Sequence, residues 1–226
     1  EHVTGPEVSV ETFGTDVVGV TAKHLGRLPS FVEIGHDFPA DGAVPPGAAA
    51  LAAIEALGLG FGPAHTEIRL GRRGPVVIEV NARLAGGRIP TLVRLATGID
   101  LIGATIDAVV LGGFRRPLPE PEPGHASIRF LVPPRPGRVR RTAGVAAAAG
   151  VPGVVDVAIT ARPGQRVGGT GSFLDRVGHV IAAAATATAA RSAVETALAL
   201  LELDLGPDDA PAEGDQVRRP AATGAR

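Results

Sequence analysis

The stretch from residue 64 to residue 81 constrains the fold more than any other part of the sequence. It contains two strand-like runs, residues 64–70 and 75–81, joined by the turn Gly71-Arg72-Arg73-Gly74. Glycine at both ends of a short polar turn is typical of a β-hairpin. The hairpin predicts an antiparallel sheet, because parallel neighbours need a connection of about a dozen residues or more.

Further strands and helices are predicted on both sides of this hairpin. Short runs rich in Val, Ile, Thr and Phe predict strands at 7–13, 16–23 and 30–36. Apolar spacings of three and four predict helices at 46–57, 89–96 and 100–111. Alternating prolines and glutamates at 117–123 predict an extended linker, so residues 1–113 are expected to form a first domain.

The second half of the chain predicts a small antiparallel α+β domain at residues 124–205. Strands are predicted at 126–132, 154–159 and 178–183, and helices at 142–149 and 188–203. Residues 206–226 are rich in Pro, Ala and charge without periodicity, which predicts a disordered tail.

Composition narrows the class of ligand. There are 22 Lys and Arg residues against 23 Asp and Glu residues, so no broad positive charge attracts nucleic acid or an anionic membrane. A small molecule is the expected ligand. The absence of cysteine excludes disulfides, thiolate metal sites and thiol nucleophiles.

The location and the extent of the protein follow from the apolar runs and the first residues. The apolar runs are too short to cross a bilayer of roughly 30 Å. No charged-then-apolar leader precedes the first strand, so a cytoplasmic location is expected. Because the sequence begins with Glu1 inside a segment that already looks structured, we expect it to be part of a longer protein.

Polar side chains gather on one face of the predicted hairpin. Residues two apart on a strand share a face, so His65 points with Glu67, and Glu79 points with Asn81 and Arg83. Hard cations such as Mg²⁺ prefer carboxylate and amide oxygens, and an arginine adds a planar donor fork for a phosphoryl or carboxylate group. The pattern therefore predicts an oxygen-rich metal site, although a solvated face of an exposed hairpin has the same pattern.

The loop that follows favours the site over the solvated face. Gly86 and Gly87 allow the backbone to approach a ligand closely and to present N–H groups to an anion.

These residues resemble a known superfamily. Glu67, the hairpin, the element Glu-x-Asn-x-Arg at 79–83 and the Gly-Gly turn resemble the metal-binding end of the ATP-grasp ligases. Residues 5–11, 31–36 and 96–101 look like the branch that contains the L-amino-acid ligases and other carboxylate–amine ligases. The Glu-x-Asn-x-Arg element is shared with biotin carboxylases and purine-pathway enzymes. The fold that the resemblance implies is α+β: an ATP-grasp C-terminal lobe, built from an antiparallel sheet with helices, followed by the small domain.

The resemblance implies roles for the residues of the hairpin and its loop. Glu67, Glu79 and Asn81 match the ligands of Mg²⁺ (or Mn²⁺), and Arg83 matches the catalytic arginine near the γ-phosphate and the acyl group. The amides of Gly86 and Gly87 would stabilise the anionic group.

It also implies a place for ATP and for the substrates. Glu1, in the hinge that holds adenine, and Glu7, which resembles the glutamate on the ribose hydroxyls, would bind the nucleotide. His36, Arg88 and Arg129 are candidates for substrate contacts. For His36 a structural hydrogen-bonded role is the alternative, and for Arg129 a surface ion pair. His65 could orient Glu67 from behind or be exposed.

The implied reaction is the formation of an acyl phosphate from a carboxylate and ATP, followed by attack of an amine. Two phosphate-binding lysines of the family precede the adenine hinge, and Lys23, the only lysine, matches neither. We therefore expect them in a missing N-terminal part of the same chain, without which this part is inactive. A carboxylating ATP-grasp enzyme and a non-catalytic nucleotide-binding domain remain alternatives, and a homodimer is left open.

Overall fold

The computed structural model describes residues 2–26, 31–40, 46–112 and 118–208. Within these ranges the chain forms two antiparallel sheets with packed helices, so the predicted α+β class is confirmed. The strands are β1 (Glu7–Phe13), β2 (Asp16–Leu25), β3 (Glu33–Phe38), β4 (Pro63–Gly71), β5 (Gly74–Asn81), β6 (His125–Leu131), β7 (Gly137–Ala143), β8 (Val154–Ile159), β9 (Arg166–Val167), β10 (Gly178–Ala184) and β11 (Glu202–Gly206). The helices are α1 (Gly47–Ala56), α2 (Ile89–Thr97), α3 (Leu101–Val110), α4 (Val145–Ala149) and α5 (Ala187–Ala199), and a 3₁₀ turn spans Phe173–Asp175.

The main sheet has eight strands in the order β5-β4-β1-β2-β3-β6-β10-β8, all antiparallel. Strands β3 and β6 lie on opposite sides of the predicted linker, and they pair over four residues. One sheet therefore runs through both predicted domains, and their division at 113–124 stays a prediction. Strands β11, β7 and β9 form the second, three-stranded sheet.

Helices cover the main sheet unequally on its two faces. On one face, α2 and α3 bury a core above β3, β6 and β10 that includes Ile128 and Ile181. On the opposite face, α1 packs on β1 and β4, and α4 and α5 pack around β10, where Val180 is fully buried. Successive strand residues point to opposite faces, so neighbours such as Val180 and Ile181 enter different cores. The core buried by α2 and α3 also includes Phe13 of β1, with Val18 of β2 packed against it, but among the described residues it contains none from β4 or β5.

Two predicted helices were wrong at one end. The helix predicted at 142–149 covers only α4, because Thr142 pairs with Leu203 in the second sheet. The helix predicted at 188–203 ends at Ala199, and Leu203 and Leu205 belong to β11, where Leu205 packs with Val139. Strands β7, β9 and β11 were not predicted.

Of the predicted tail, residues 209–226 lie outside the described residues, while Gly206 still pairs in β11. Among the described helices, none is both long and apolar enough to cross a bilayer.

Candidate functional site

The β4–β5 hairpin places the predicted metal ligands opposite one another. Its register pairs Glu67 with Glu79 and His65 with Asn81. Directly opposed residues in an antiparallel pair share a face, with Cβ atoms about 4.5–5.5 Å apart. Glu79 is exposed on the edge strand β5, whereas Glu67 and Asn81 are half-buried. The register shifts by one residue between Glu67 and Ile68, and this bulge brings two carboxylates and one amide to one surface.

The long-range register extends this polar face across the sheet. Ser9 of β1 pairs with Glu67, Glu7 pairs with both Arg69 and Lys23, and Lys23 pairs with His36 of β3. These residues lie on the same face as the hairpin ligands, because cross-strand partners share a face.

Lys23 lies at the centre of this face. Its Nζ is 2.6 Å from Glu33 Oε1, 2.6 Å from Glu67 Oε1 and 3.1 Å from Glu7 Oε1, and its side chain is only 2% exposed. Burial opposes the charge of the ammonium, but Glu33 and Glu67 outweigh burial and hold the pKa of Lys23 above its usual range. Lys23 is therefore a permanent buried cation.

His65 supports the carboxylate of Glu67 from the other side. Its Nε2 is 3.2 Å from Glu67 Oε1 and its Nδ1 is 3.1 Å from Glu11 Oε1. Burial opposes protonation, but the hydrogen bonds to Glu11 and Glu67 raise the pKa of His65 to about 9. The imidazolium is thus the neutral-pH form and donates to both carboxylates. The hydrogen bond from His65, against burial and together with Lys23, lowers the pKa of Glu67 to about 2.

Two arginines complete the charge balance. Arg69 binds Glu7 at 2.8 Å, and Arg176 binds Glu33 at 2.8 Å and lies over the ring of Phe130, 4.2 Å from its centroid. The network of linked charges therefore contains as many cations as carboxylates: Lys23, His65, Arg69 and Arg176 against Glu7, Glu11, Glu33 and Glu67.

Sequence reasoning did not find the central part of this network. It assigned Lys23 no role, and it did not single out Glu11, Glu33 or Arg176 as site residues. Strand parity signals that residues of one strand share a face, but the register between strands far apart in sequence brings these side chains together.

A cleft of about 320 Å³ opens beside the network at the predicted nucleotide end. Its lining includes Glu7, Lys23 and Arg69 together with His2 and Thr4 of the predicted hinge, residues 1–4. The hinge and the ribose candidate Glu7 therefore line one cavity, while Glu1 lies outside the described residues.

His36 is buried beneath the Gly-Gly turn. It is 0% exposed, and within the described part of the chain neither ring nitrogen has a hydrogen-bond partner. Its Nε2 is 3.6 Å from Glu33 Oε2, and a Cβ atom added to Gly87 would lie 2.4 Å from the same nitrogen. Burial, partly opposed by Glu33, lowers the pKa of His36 to about 4, so the ring is neutral with one donor and one acceptor nitrogen.

Known proteins match both the sequence and the fold. Residues 129–206 match the family model for the L-amino acid ligase C-terminal domain 2. The uncharacterized protein y4rH of Sinorhizobium fredii is 35% identical over 211 residues, which cover 92% of this chain and 44% of y4rH. The L-amino acid ligase of Bacillus licheniformis superposes with a TM-score of 0.77 at 22% identity, covering 91% of this chain and 53% of the ligase. The chain therefore shares its fold with an L-amino acid ligase, and residues 129–206 are similar to a C-terminal domain of that enzyme family.

The same ATP-grasp fold extends to enzymes of other chemistry. The biotin carboxylase domain of the 2-oxoglutarate carboxylase from Hydrogenobacter thermophilus, solved with MgADP and bicarbonate, has a TM-score of 0.64 at 15% identity. That match covers 88% of this chain and 46% of the carboxylase domain. At such identities a solved structure establishes a shared fold only, and this chain spans about half the length of the relatives it matches.

The arginines that the ATP-grasp resemblance singled out lie in different surroundings. Arg83 is exposed at the end of the hairpin, and its NH1 donates to Leu84 O at 2.9 Å. Arg88 precedes α2 with φ 64° and reaches Asp156 of β8 at 3.4 Å.

Arg129 lies on the face opposite the site. Its NH1 binds Asp37 Oδ1 at 2.8 Å, on the side of the sheet where α5 packs. Arg83 thus lies at the end of the hairpin and Arg88 at the Gly-Gly turn, whereas Arg129 lies on the other face of the sheet, away from both.

Proposed function

We propose that this chain carries the metal-binding and ribose-binding half of an ATP-dependent carboxylate–amine ligase. The observation that carries the proposal is the pairing of Glu67 with Glu79 across the hairpin, with Asn81 beside them on the face that adjoins the cleft of Glu7. The match of residues 129–206 to an L-amino acid ligase domain supports the ligase branch over carboxylating relatives.

The residues present suit a hard divalent cation. Carboxylate and amide oxygens are the donors that Mg²⁺ and Mn²⁺ prefer, and such ions keep several waters instead of a full protein cage. Glu67 is ionised at every working pH, since its pKa is lowered to about 2. Glu67, Glu79 and Asn81 would hold the ion, which when bound neutralises the charge of the ATP phosphates during phosphoryl transfer.

The other residues of the face would orient the substrates. Glu7, held by Arg69, would accept hydrogen bonds from the ribose hydroxyls at the hinge. The exposed guanidinium of Arg83 can swing to the transferred phosphoryl group, where a planar donor fork stabilises developing charge. The backbone amides of Gly86 and Gly87 would serve the acyl oxygen.

His36 would add one neutral contact on the substrate side. Its Nε2, which has no hydrogen-bond partner among the described residues, lies under Gly87, and the ring would donate to or accept from a polar group of the substrate. Arg88, exposed at the start of α2, would meet a substrate carboxylate. Arg129 fits a structural ion pair better than a substrate contact, because Asp37 holds it on the opposite face.

The rest of the protein would supply what this half lacks. Lys23 lies in strand β2, and this position matches neither of the two lysines that bind phosphate in ATP-grasp enzymes. We propose that these two lysines lie in a preceding part of the protein, which would complete the nucleotide cleft. The small-molecule carboxylate and the amine would then meet between the two halves.

An ADP-release assay on the intact protein tests this function. With a panel of amino acids, we expect Mg²⁺-dependent ADP release that needs both a carboxylate and an amine, and Glu79→Gln should reduce it by about 10²-fold or more. Release that needs bicarbonate instead of an amine would indicate a carboxylating enzyme. Binding of Mg-ATP without any release would indicate a nucleotide-binding domain, and either result would refute the ligase.

A further inference from the structure

The buried ammonium of Lys23 occupies the middle of a carboxylate cluster that has the spacing of a metal site. Ligand oxygens of Glu7, Glu33 and Glu67 all lie within 4.8 Å of one another. We propose that Lys23 is a positioning residue: it keeps a divalent ion out of this cluster and confines the ion to the Oε2 side of Glu67, next to Glu79 and Asn81. The inference rests on the proposed metal role of Glu67.

Each N–H donor of the Lys23 ammonium has a carboxylate oxygen to bind. A lysine has three N–H donors and no acceptor, and Nζ has three carboxylate oxygens at 2.6, 2.6 and 3.1 Å. With the side chain 2% exposed, water does not compete for these contacts. Displacing the Lys23 side chain would take a buried cation away from the three carboxylates that it contacts, which is energetically costly. The ammonium is therefore a fixed element of the face.

The contacts on Glu67 are asymmetric. Lys23 Nζ and His65 Nε2 both bind Oε1, at 2.6 and 3.2 Å. A carboxylate oxygen has two lone-pair positions, so these two donors fill those of Oε1. A metal ion on Glu67 must then use Oε2, and Oε1 becomes the anchor that fixes the orientation of the carboxylate.

Charge repulsion acts in the same direction. A divalent ion inside the cluster would lie within a few ångströms of the ammonium, and like charges at such distances repel strongly in a site with little water. On the side of Glu79 and Asn81 the ion meets another carboxylate and an amide instead. Lys23 thus separates Glu7 and Glu33 from the metal side of the same face.

Mn²⁺ binding to the intact protein without nucleotide tests this role. The probe is Mn²⁺ alone, titrated while the electron paramagnetic resonance signal of the free ion is followed. The test variant is Lys23→Met, which keeps the length of the side chain and removes its charge. We expect this variant to bind at least one more Mn²⁺ per chain than the wild type, because Glu7, Glu33 and Glu67 have lost the cation that they share.

A charge-preserving variant is the matched control. Lys23→Arg keeps a positive charge in the cluster and should bind as many Mn²⁺ ions as the wild type. If Lys23→Met does not fold, Lys23→Gln replaces it, since its amide still donates to the carboxylates and the same gain is expected. Unchanged stoichiometry and affinity in the folded neutral variant, or an equal gain in Lys23→Arg, would overturn the proposal.

The outcome is separable from the proposed ligase function. The number of Mn²⁺ ions bound does not depend on ADP release, so an intact protein that releases no ADP would refute the ligase and leave the comparison of variants valid. Conversely, an active ligase whose neutral Lys23 variants gain no Mn²⁺ would refute only the positioning role.

Discussion

Replacing Asp37 by asparagine should destabilise the fold more than any comparable change at an exposed ion pair. Asp37 is a buried carboxylate of β3, 4% exposed, and it receives contacts from one histidine and two arginines. These contacts come from His24 Nε2 at 2.7 Å, Arg129 NH1 at 2.8 Å and Arg191 Nε at 2.9 Å. Because Arg129 lies on β6 and Arg191 on α5, Asp37 ties the two predicted domains together.

The magnitude follows from the exposure of the partners. Removing one member of a buried ion pair costs about 3–5 kcal/mol, because the other charge stays buried. His24 and Arg191 are 38% and 32% exposed and regain water, whereas Arg129 is 11% exposed and does not. Asparagine keeps the volume and one acceptor, so no cavity adds to the cost. We expect Asp37→Asn to lower the free energy of unfolding by about 2–4 kcal/mol.

Urea unfolding followed by circular dichroism measures this loss. The matched control is Glu202→Gln, whose partner Arg141 is also 2.8 Å away but whose pair is 64% and 60% exposed. That change should cost less than about 1 kcal/mol. Equal free energies of unfolding for the two variants would refute the idea that burial decides the strength of the Asp37 contacts.

The pH dependence has a definite sign. Burial raises the pKa of Asp37, but the hydrogen bonds from His24 and Arg129 outweigh burial and hold the pKa well below its ordinary value of 3.8. The stability contributed by Asp37 is therefore fully present above pH 3.8 and is lost as the pH falls below it. Asp37→Asn should show a smaller loss of stability in acid than the wild type.

Three further predictions concern the turn above His36 and one helix cap. The His36 ring, whose pKa is lowered to about 4, should stay neutral at pH 6 in nitrogen-detected NMR. The free energy of unfolding should therefore fall as the pH drops from 6.5 towards 4. A titration midpoint of the His36 ring near 6.5 would contradict this prediction. Gly87→Ala should lower the free energy of unfolding by about 1 kcal/mol or more, since φ of Gly87 is +57° and the new Cβ meets His36 Nε2. The control Gly86→Ala should cost less, because its new Cβ has nothing within 4 Å. Equal thermal midpoints for the two variants would contradict the clash. Asp100→Ala should cost about 0.5–2 kcal/mol because Asp100 Oδ1 caps α3 by accepting from Gly103 N at 3.0 Å, and an unchanged unfolding midpoint would exclude a capping role.

Local patterns were sufficient for the hairpin and for most of the strands. Glu67 lies opposite Glu79 only because a bulge shifts the register by one residue between Glu67 and Ile68, and the sequence pattern did not predict that bulge. The turn Gly71-Arg72-Arg73-Gly74 is a local signal that places β4 beside β5. The strands of the main sheet and helices α1 to α3 were predicted within a few residues for the same reason, since apolar periodicity and glycine punctuation are local.

The remaining features depend on contacts between distant residues. Leu201 and Leu205 continue the spacing of the α5 stripe, so the sequence pattern could not distinguish the end of α5 from β11, which the pairing with β7 decides. Likewise, parity cannot say which face of β6 Arg129 occupies. Only the register of β1 with β2 and β4 brings Glu7, Lys23 and Glu67 together.

Anomalous diffraction from crystals of the intact protein with Mn²⁺ and a non-hydrolysable ATP analogue tests the central claim most directly. The account predicts a manganese peak between the carboxylates of Glu67 and Glu79, within bonding distance of the Asn81 amide oxygen at about 2.0–2.6 Å. A peak enclosed by Glu7, Glu33 and Glu67, or the absence of manganese from the hairpin while the nucleotide is bound, would contradict it.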